Sequence, residues 1–573
     1  MSSASPVGQL VAVGGSSDDA VAAAERAALA GELVTAARGA DAVLDDDGAR
    51  PGARARAARV LAAVLTHRGL LAHASDLHDW AATLDRHRGG GPPPRPAPSA
   101  ILAAAGCGRL GAHDGATDSP TSDGTGAVTG PPTPGRGGAA LLARGVRASV
   151  RRGGSATALS DLTRAVAVLE CSGTPALHDE SPVVPGVLVA LHRGEPDLAR
   201  ALLDRAVAAD LAGPAFRRRH LLWGAWAAMT AGDPSAARAA EVAAAALPGP
   251  VEVRDELLAV GLAAALARRV GDTRALLAWW PRARRVVVRH EVDLWSLLPF
   301  AEIRVAAARV GATGWLAPHL HGADPLLDAL GAPPLWSAPW HWSGVLAGID
   351  ADDPHTARRH AARLRAAGPE DAVAVVCGEA ARVWLDVLAG TVDAATVTAA
   401  AEALAGVGQP WDGARLAREA AMRTTDRRAV ATLLGVGRAL LPPPPSATPS
   451  GDAPVAPPAV RAVRAVGAVP APGAAAPTVG ASASPPAASP TAGAPLSERE
   501  REVAALLLDG MTYAEVGERL FIATKTVEHH VGRMRRRLGS QTRAGLFADL
   551  RRALEQPPTD QRPSDQRPTI SPT

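Results

Sequence analysis

The 573-residue chain contains no asparagine, one lysine, one tyrosine, four phenylalanines and three cysteines. Each shortage excludes something. A P-loop nucleotide site needs a lysine on the phosphates, and the single lysine, Lys525, stands in "TKTVEHHV" rather than behind a glycine-rich loop. A phosphoacceptor receiver domain needs a lysine and a five-stranded alternating pattern, and neither is present. Cys107, Cys171 and Cys377 are far apart and odd in number, so neither a disulfide framework nor a zinc ribbon is indicated. No run of 18 apolar residues is free of charges and breakers, and "MSSASPVGQL" lacks a basic region ahead of an apolar stretch. These features predict a cytoplasmic chain with no membrane span and no signal peptide. "HEVDL" at His290 begins like a zinc-hydrolase motif, but Leu294 stands where the second ligand belongs. "HLH" at His319 and His321 reads as a solvated or core pair in a loop. No G-x-S-x-G occurs. The expectation is therefore no enzyme, no metal and no cofactor.

What fills the chain is alanine, arginine, glycine and proline, the bias of a G+C-rich genome such as an actinobacterium's. Formal net charge is only +3, so any basic footprint for a polyanion must be local. Residues 1–20 are polar and read as disordered. Residues 21–87 carry helical periodicity, as in "ARAARVLAAVLTHRGLLAHA". Residues 88–138 are Gly/Pro-rich and read as a linker.

From 139 to 441 helical spacing returns with a loose repeat. Short turns, "GEPD" at Gly194, "GDPS" at Gly232, "GDTR" at Gly271, "GATG" at Gly311, "DDPH" at Asp352 and "GTVD" at Gly390, recur at spacings of 38, 39, 40, 41 and 38. Glycine suits a helix end in the left-handed region, Asp caps the next helix and proline fits its first turn. A fixed period of antiparallel helix pairs predicts a superhelix similar to tetratricopeptide repeats. Seven of the 12 tryptophans fall between 279 and 342. They either fill helix interfaces or line a groove for a small apolar ligand or a partner peptide. Trp315, Trp336, Trp340 and Trp342 are the groove candidates, because "APPLWSAPWHWS" is broken by prolines and reads as partly a loop. Residues 442–495 hold 15 prolines and almost no charge. They predict a disordered linker of roughly 40 Å end to end.

The stretch 496–554, ahead of a disordered tail at 555–573, is different. Apolar positions Val503, Leu506 and Leu507, then Val516 and Leu520, then Val527, Val531, Met534 and Leu538, then Leu546 and Leu550 predict four short helices. Ser497 with Glu500, and Thr512 with Glu515, fit capping boxes. Two short helices, a tight "FIA" turn and a longer third helix describe a helix-turn-helix. With Val527, Val531 and Met534 inward, Lys525, Glu528, His529 and Gly532 share the outer face. Residues 521–553 hold eight basic side chains against two acidic ones, a local +6 that leaves the rest of the chain at −3. Glu528 has the chemistry to accept from a cytosine amino group and His529 to donate to a purine acceptor.

On "LSEREREV", "DGMTYAEVGERL", "TKTVEHHV", "RRRLG" and the later Arg543, this stretch resembles the LuxR-type DNA-binding domain. The resemblance implies that Glu528, His529 and Gly532 face bases. It implies phosphate contact for Thr526 and the flanking basic residues, so the interface spans Thr524, Lys525, Thr526, Glu528, His529, Gly532, Arg533, Arg535, Arg536 and Arg543. It also implies a homodimer contact through the fourth helix. Ala523 replaces a capping serine, leaving Thr524 to cap. Ser540 replaces an apolar residue, and Gly545 a polar or acidic one. "GVGQPWDGARLAREAA" resembles the last helical units of the larger LuxR-type regulators, here without their ATPase. A sigma-factor region 4 shares the helix-turn-helix, but no region 2 pattern precedes it. The expected architecture is all-α. A helical-repeat region that binds a protein partner or a small-molecule signal is tied by a linker to a domain that binds double-stranded DNA. A repeat scaffold tethered to the chromosome is the alternative.

Overall fold

In the computed structural model, residues 16–86, 97–110, 133–172, 177–441, 496, 498–508, 511, 513–520, 524–538 and 543–555 are described. Within them every regular element is helical. The calls on residues 1–15, the 442–495 linker and residues 556–573 of the tail lie outside the described residues, and Glu555, expected in the tail, ends the last helix. No described helix is long and apolar enough to cross a membrane.

All six residues of the repeat turns hold a positive φ: 75° at Gly194, 85° at Gly232, 75° at Gly271, 71° at Gly311, 53° at Asp352 and 87° at Gly390. At each, the next amide donates back across the helix end, as from Glu195 to the Ala190 carbonyl (2.9 Å) and from Asp353 to the Gly348 carbonyl (2.8 Å). This satisfies a carbonyl that the terminating helix leaves open. Asp233, Asp272, Asp353 and Asp393 then accept from amides of the following helix.

Each turn joins a pair. The first members are Val184–His192, Arg217–Thr230, Val253–Val270, Leu297–Arg309, Pro334–Asp350 and Ala372–Leu388. Their partners are Pro196–Ala208, Pro234–Ala246, Thr273–Val287, Thr313–Leu320, Pro354–Ala366 and Ala394–Gly406. Pro410–Arg423 with Arg427–Ala439 closes the series. From Arg217 onward, each first member packs on its own partner and on the first member of the next pair. That is the geometry of a helical-repeat array.

The array begins earlier than its sequence signal. Gly31, Gly69 and Gly108 hold φ values of 82°, 79° and 79° and end helices Ser17–Leu29, Pro51–His67 and Pro98–Gly106. Their following amides make the same back-bond, from Glu32 to Ala27, Leu70 to Leu65 and Arg109 to Ala104. Gly153, at 68°, lies between Pro134–Ser149 and Ser155–Glu170. Two sequence expectations are thereby corrected. Residues 17–20 are helical, and the 88–138 segment is not simply a linker, because Ile101 to Ala105 are buried in the main core. Nor do residues 21–87 stand apart. Arg254 donates to the Thr66 carbonyl (3.1 Å), Trp295 to that of Leu102 (3.2 Å) and Trp336 to that of Ser149 (3.1 Å). The amino-terminal helices thus lie on the ends of later first members, roughly half the array further along.

Charge is buried where these layers meet. Arg219 is 0 % exposed and donates to Asp255 (2.7 Å) and to both Glu180 oxygens (3.0 Å each). Its other terminal nitrogen reaches His67 Nδ1 at 3.3 Å. Burial, reinforced by Arg219 and Arg254, holds His67 well below the usual histidine range, so the neutral ring accepts. Arg254 forks onto Asp293, whose carboxylate also caps Trp295. Arg268 pairs with Glu302 (2.9 Å) and Asp412 (3.3 Å). Burial alone would raise the Glu302 carboxyl, but Arg268 and Arg269 more than offset it and bring it down to about 2.

The turns give a paired prediction. A Cβ at Gly390 meets nothing within 4 Å, whereas one at Gly194 falls 2.7 Å from the Val407 carbonyl oxygen. Gly390→Ala is expected to cost about 1–2 kcal/mol for the left-handed backbone alone. Gly194→Ala should cost about 1–3 kcal/mol more, because a backbone atom must move. Urea unfolding of the two variants checks the difference.

Candidate nucleic-acid interface

Helices Glu498–Leu508, Tyr513–Leu520, Thr524–Leu538 and Arg543–Glu555 form a separate small core. Leu496, Val503, Ala504, Leu507, Val516, Val527, Val531, Met534, Leu546 and Leu550 are buried in it. Leu506, Leu520 and Leu538, expected inside, are partly buried against it. The second and first helices both pack on the third, and the fourth packs on the first. The expected caps at Ser497 and Thr512 and the "FIA" turn lie outside the described residues, as does the side chain of Thr524.

The third helix carries the interface. Its buried residues Val527, Val531 and Met534 follow 4 and 3 apart, one stripe of a 3.6-residue helix. Fifteen residues give a rod of about 22 Å, suited to lying in a major groove. Gly532 stands off the buried stripe, and a Cβ built there meets nothing within 4 Å. Arg533 and Arg535 are exposed. Thr524, Lys525, Thr526, Glu528, His529 and Arg536 lie on this helix and Arg543 opens the next, but their side chains lie outside the described residues. Arg551 and Arg552 are exposed on the fourth helix, where Arg552 pairs with Asp549 (3.0 Å).

The tryptophan groove is not formed. Trp336, Trp340 and Trp342 are buried to 0 %, 2 % and 4 % exposure, inside one continuous helix that runs through Pro339. Their indole N–H groups donate inward, to the Ser149 carbonyl (3.1 Å), Asp324 (2.8 Å) and Asp412 (2.9 Å). Trp315 is partly buried, edge-on to Trp280 at 5.4 Å. These rings supply bulk to an alanine-rich core. The expected "HLH" loop is also corrected: His319 sits in helix Thr313–Leu320 and packs on Trp315 at 4.6 Å, and His321 caps the helix end.

Sequence reasoning missed the Arg219, Arg254 and Arg268 clusters. The available signal was one buried-pair candidate near the start of successive first members, in "RRRH" and "VRDE".

Residues 494–548 match the family described as bacterial regulatory proteins, luxR family. Across 57 residues the chain is 39% identical to the spore germination protein GerE of Bacillus subtilis, covering 10% of this chain and 77% of that one. Across 68 residues it is 38% identical to the DNA-binding transcriptional activator DevR/DosR of Mycobacterium tuberculosis, covering 11% of this chain and 30% of that one. The chain thus spans under a third of DevR/DosR. Among solved structures, the TPR domain of P58(IPK) aligns with 74% of this chain and 98% of its own, at 13% identity and a TM-score of 0.18. That score is too low to bear on the fold, which rests on the helix pairs themselves.

Proposed function

This chain belongs to the luxR family of bacterial regulatory proteins, and we propose that it is a DNA-binding transcriptional regulator whose repeat array senses a signal or recruits a partner. The observation that carries the reading is the third helix of the small domain. It has a buried apolar stripe and an open surface at Gly532, and the basic charge of the chain is concentrated on and around it. Localised positive charge is what displacement of counterions from DNA requires. In this reading Glu528, His529 and Gly532 meet base edges. Thr524, Lys525, Thr526, Arg533, Arg535, Arg536 and Arg543 hold phosphates and fix register. DevR/DosR, a DNA-binding transcriptional activator, supports the role through the matched segment. Partly buried Phe547, Ala553 and Leu554 leave apolar surface on the fourth helix for a second copy. Such a regulator resides on the nucleoid.

Gly532→Glu tests the docking face. The new side chain has room, so the domain should keep its helical content and melting temperature. Its carboxylate lies where the DNA surface is expected, and affinity for duplex DNA should fall at least about tenfold. Fluorescence anisotropy with a labelled duplex reads the change. Unchanged affinity in a folded variant would place the groove on another face.

A further inference from the structure

Two histidines meet inside the pair Pro334–Asp350 and Pro354–Ala366. His341 on the first helix and His360 on the second are 5 % and 4 % exposed, with their Nδ1 atoms 3.1 Å apart. At that distance one nitrogen donates and the other accepts, so a single proton lies between them. Arg359 sets the direction. Its guanidinium, which can only donate, stands 3.5 Å from His360 Nε2 and leaves that nitrogen the acceptor's role. His360 then donates from Nδ1 to His341 Nδ1, and His341 carries its own proton on Nε2. Both rings are neutral in this arrangement. The fit is close: a Cβ built on Gly344 would fall 2.4 Å from the His360 ring, which therefore lies directly on the backbone of the first helix.

The charges around the rings oppose a further proton. Arg304, on helix Leu297–Arg309, donates to the Trp340 carbonyl and the Ser343 hydroxyl and lies over the Trp340 ring at 3.8 Å. It has no carboxylate partner among the described ion pairs. On the same helix, Glu302 is taken by Arg268 and Arg309 by Asp350. The two carboxylates of helix Ala323–Ala329 are also engaged, Asp324 by the Trp340 indole (2.8 Å) and Asp328 by Arg363 (2.9 Å). Helix Ala372–Leu388 packs on both members, but its Arg382 pairs with Glu379 and Asp386 at the surface, and burial pushes its Cys377 thiol up. From helix Val184–His192, His192 meets Trp336 edge-on and is itself lowered by burial. His355, Arg358 and Arg365 are exposed on the second helix. Burial, opposed by Asp324 and aided by Arg304, lowers His341 to about 4. Burial, with Arg304, His341 and Arg359, lowers His360 to about 2.

We propose that the His341–His360 contact is a proton-sensitive latch, and that proton uptake by either ring releases helix Pro354–Ala366 from Pro334–Asp350. A proton on His341 Nδ1 sets two N–H groups against each other, and one on His360 Nε2 meets Arg359. Either adds a cation beside Arg304 where the nearby carboxylates already have partners. Both rings are held below the ordinary 6.5, so the stability they contribute is fully present above about pH 6.5. It is lost as pH falls from there toward about 4. Helix Pro334–Asp350 packs on Leu297–Arg309 before it and on Ala372–Leu388 after it, so opening this pair loosens the array in its carboxyl-terminal half. The latch involves neither DNA nor a partner, and its test stands apart from the regulatory role proposed above.

Hydrogen exchange of the full chain, read by mass spectrometry at about pH 7 and about pH 5.5 and corrected for the intrinsic pH dependence of exchange, tests the latch. In the wild type, protection in peptides from 334–350 and 354–366 is expected to fall about 60-fold between the two conditions, about eightfold for each histidine. Helix Thr273–Val287, which contains no histidine, should change far less. The variant His341→Asn with His360→Asn keeps an amide near each Nδ1 position and cannot take up a proton. Its fall in the same peptides should be under about threefold. If that variant loses helical circular dichroism at neutral pH, His341→Asn alone serves, with an expected fall of about eightfold. The proposal is overturned if wild-type protection in these peptides is unchanged by acidification. It is equally overturned if a folded variant loses protection as steeply as the wild type, or if Thr273–Val287 opens together with the pair.

Discussion

Arg219→Met is expected to lower the unfolding free energy of the repeat array by about 3–5 kcal/mol, the cost of stranding buried charge. The guanidinium is wholly buried and faces Glu180 and Asp255, themselves 1 % and 2 % exposed. Removing it leaves two carboxylates in one low-dielectric space, with Arg254 3.9 Å from Glu180 as the nearer remaining cation. Met restores volume but no charge and no donor, so His67 also loses its partner. Adding Glu180→Gln and Asp255→Asn removes the stranded charge and should recover more than half of the loss. The contrast is Arg382→Met. Arg382 pairs with Glu379 and Asp386 at the surface, where its side chain is 45% exposed. That change should shift the urea midpoint far less, because solvent screens an exposed pair. Urea midpoints of the three variants decide the matter. Equal, small losses at Arg219 and Arg382 would mean that the buried cluster is solvated.

The contrast also shows what the sequence makes legible. Most of the turns from Gly194 to Gly390 are visible because glycine, or Asp352 in its place, is followed within three residues by Asp or Glu, and in three of the six by proline, separate signals of one helix ending and the next beginning. At Gly31, Gly69 and Gly108 the following residues read "EL", "LL" and "RL". The backbone geometry is the same, but apart from Glu32 no acidic residue or proline announces it, so the first part of the array was hidden. Helix Pro98–Gly106 is nine residues long between Gly/Pro-rich flanks, and only its run "AILAAA" pointed inward. Pro339 suggested a loop, yet it falls in the second turn of its helix, where tertiary packing of Trp336, Trp340 and Trp342 outweighs one missing amide bond. The buried arginine clusters join residues 34 to 152 positions apart, a pairing no local pattern encodes. In the small domain the reverse holds. All its helices are short and amphipathic, their contacts are local, and the apolar spacing alone separated the inward stripe from the face carrying Gly532.

Deleting everything after residue 441 is expected to abolish duplex DNA binding outright, the largest effect foreseen. The local excess of basic charge lies in residues 521–553, and the remainder of the chain is net negative. Binding by the full chain should depend strongly on salt, since each neutralised phosphate contributes a slope of about −0.9 in log affinity against log salt concentration. Four phosphate contacts already imply a fall of about 10²-fold between 50 and 200 mM salt. The most direct measurement is therefore fluorescence anisotropy on one labelled duplex, with the full chain and the 1–441 truncation side by side across that salt range. The account predicts tight, steeply salt-dependent binding by the full chain and none by the truncation. Binding by residues 1–441 as tight as that of the full chain, or full-chain affinity that stays flat across the range, would contradict it.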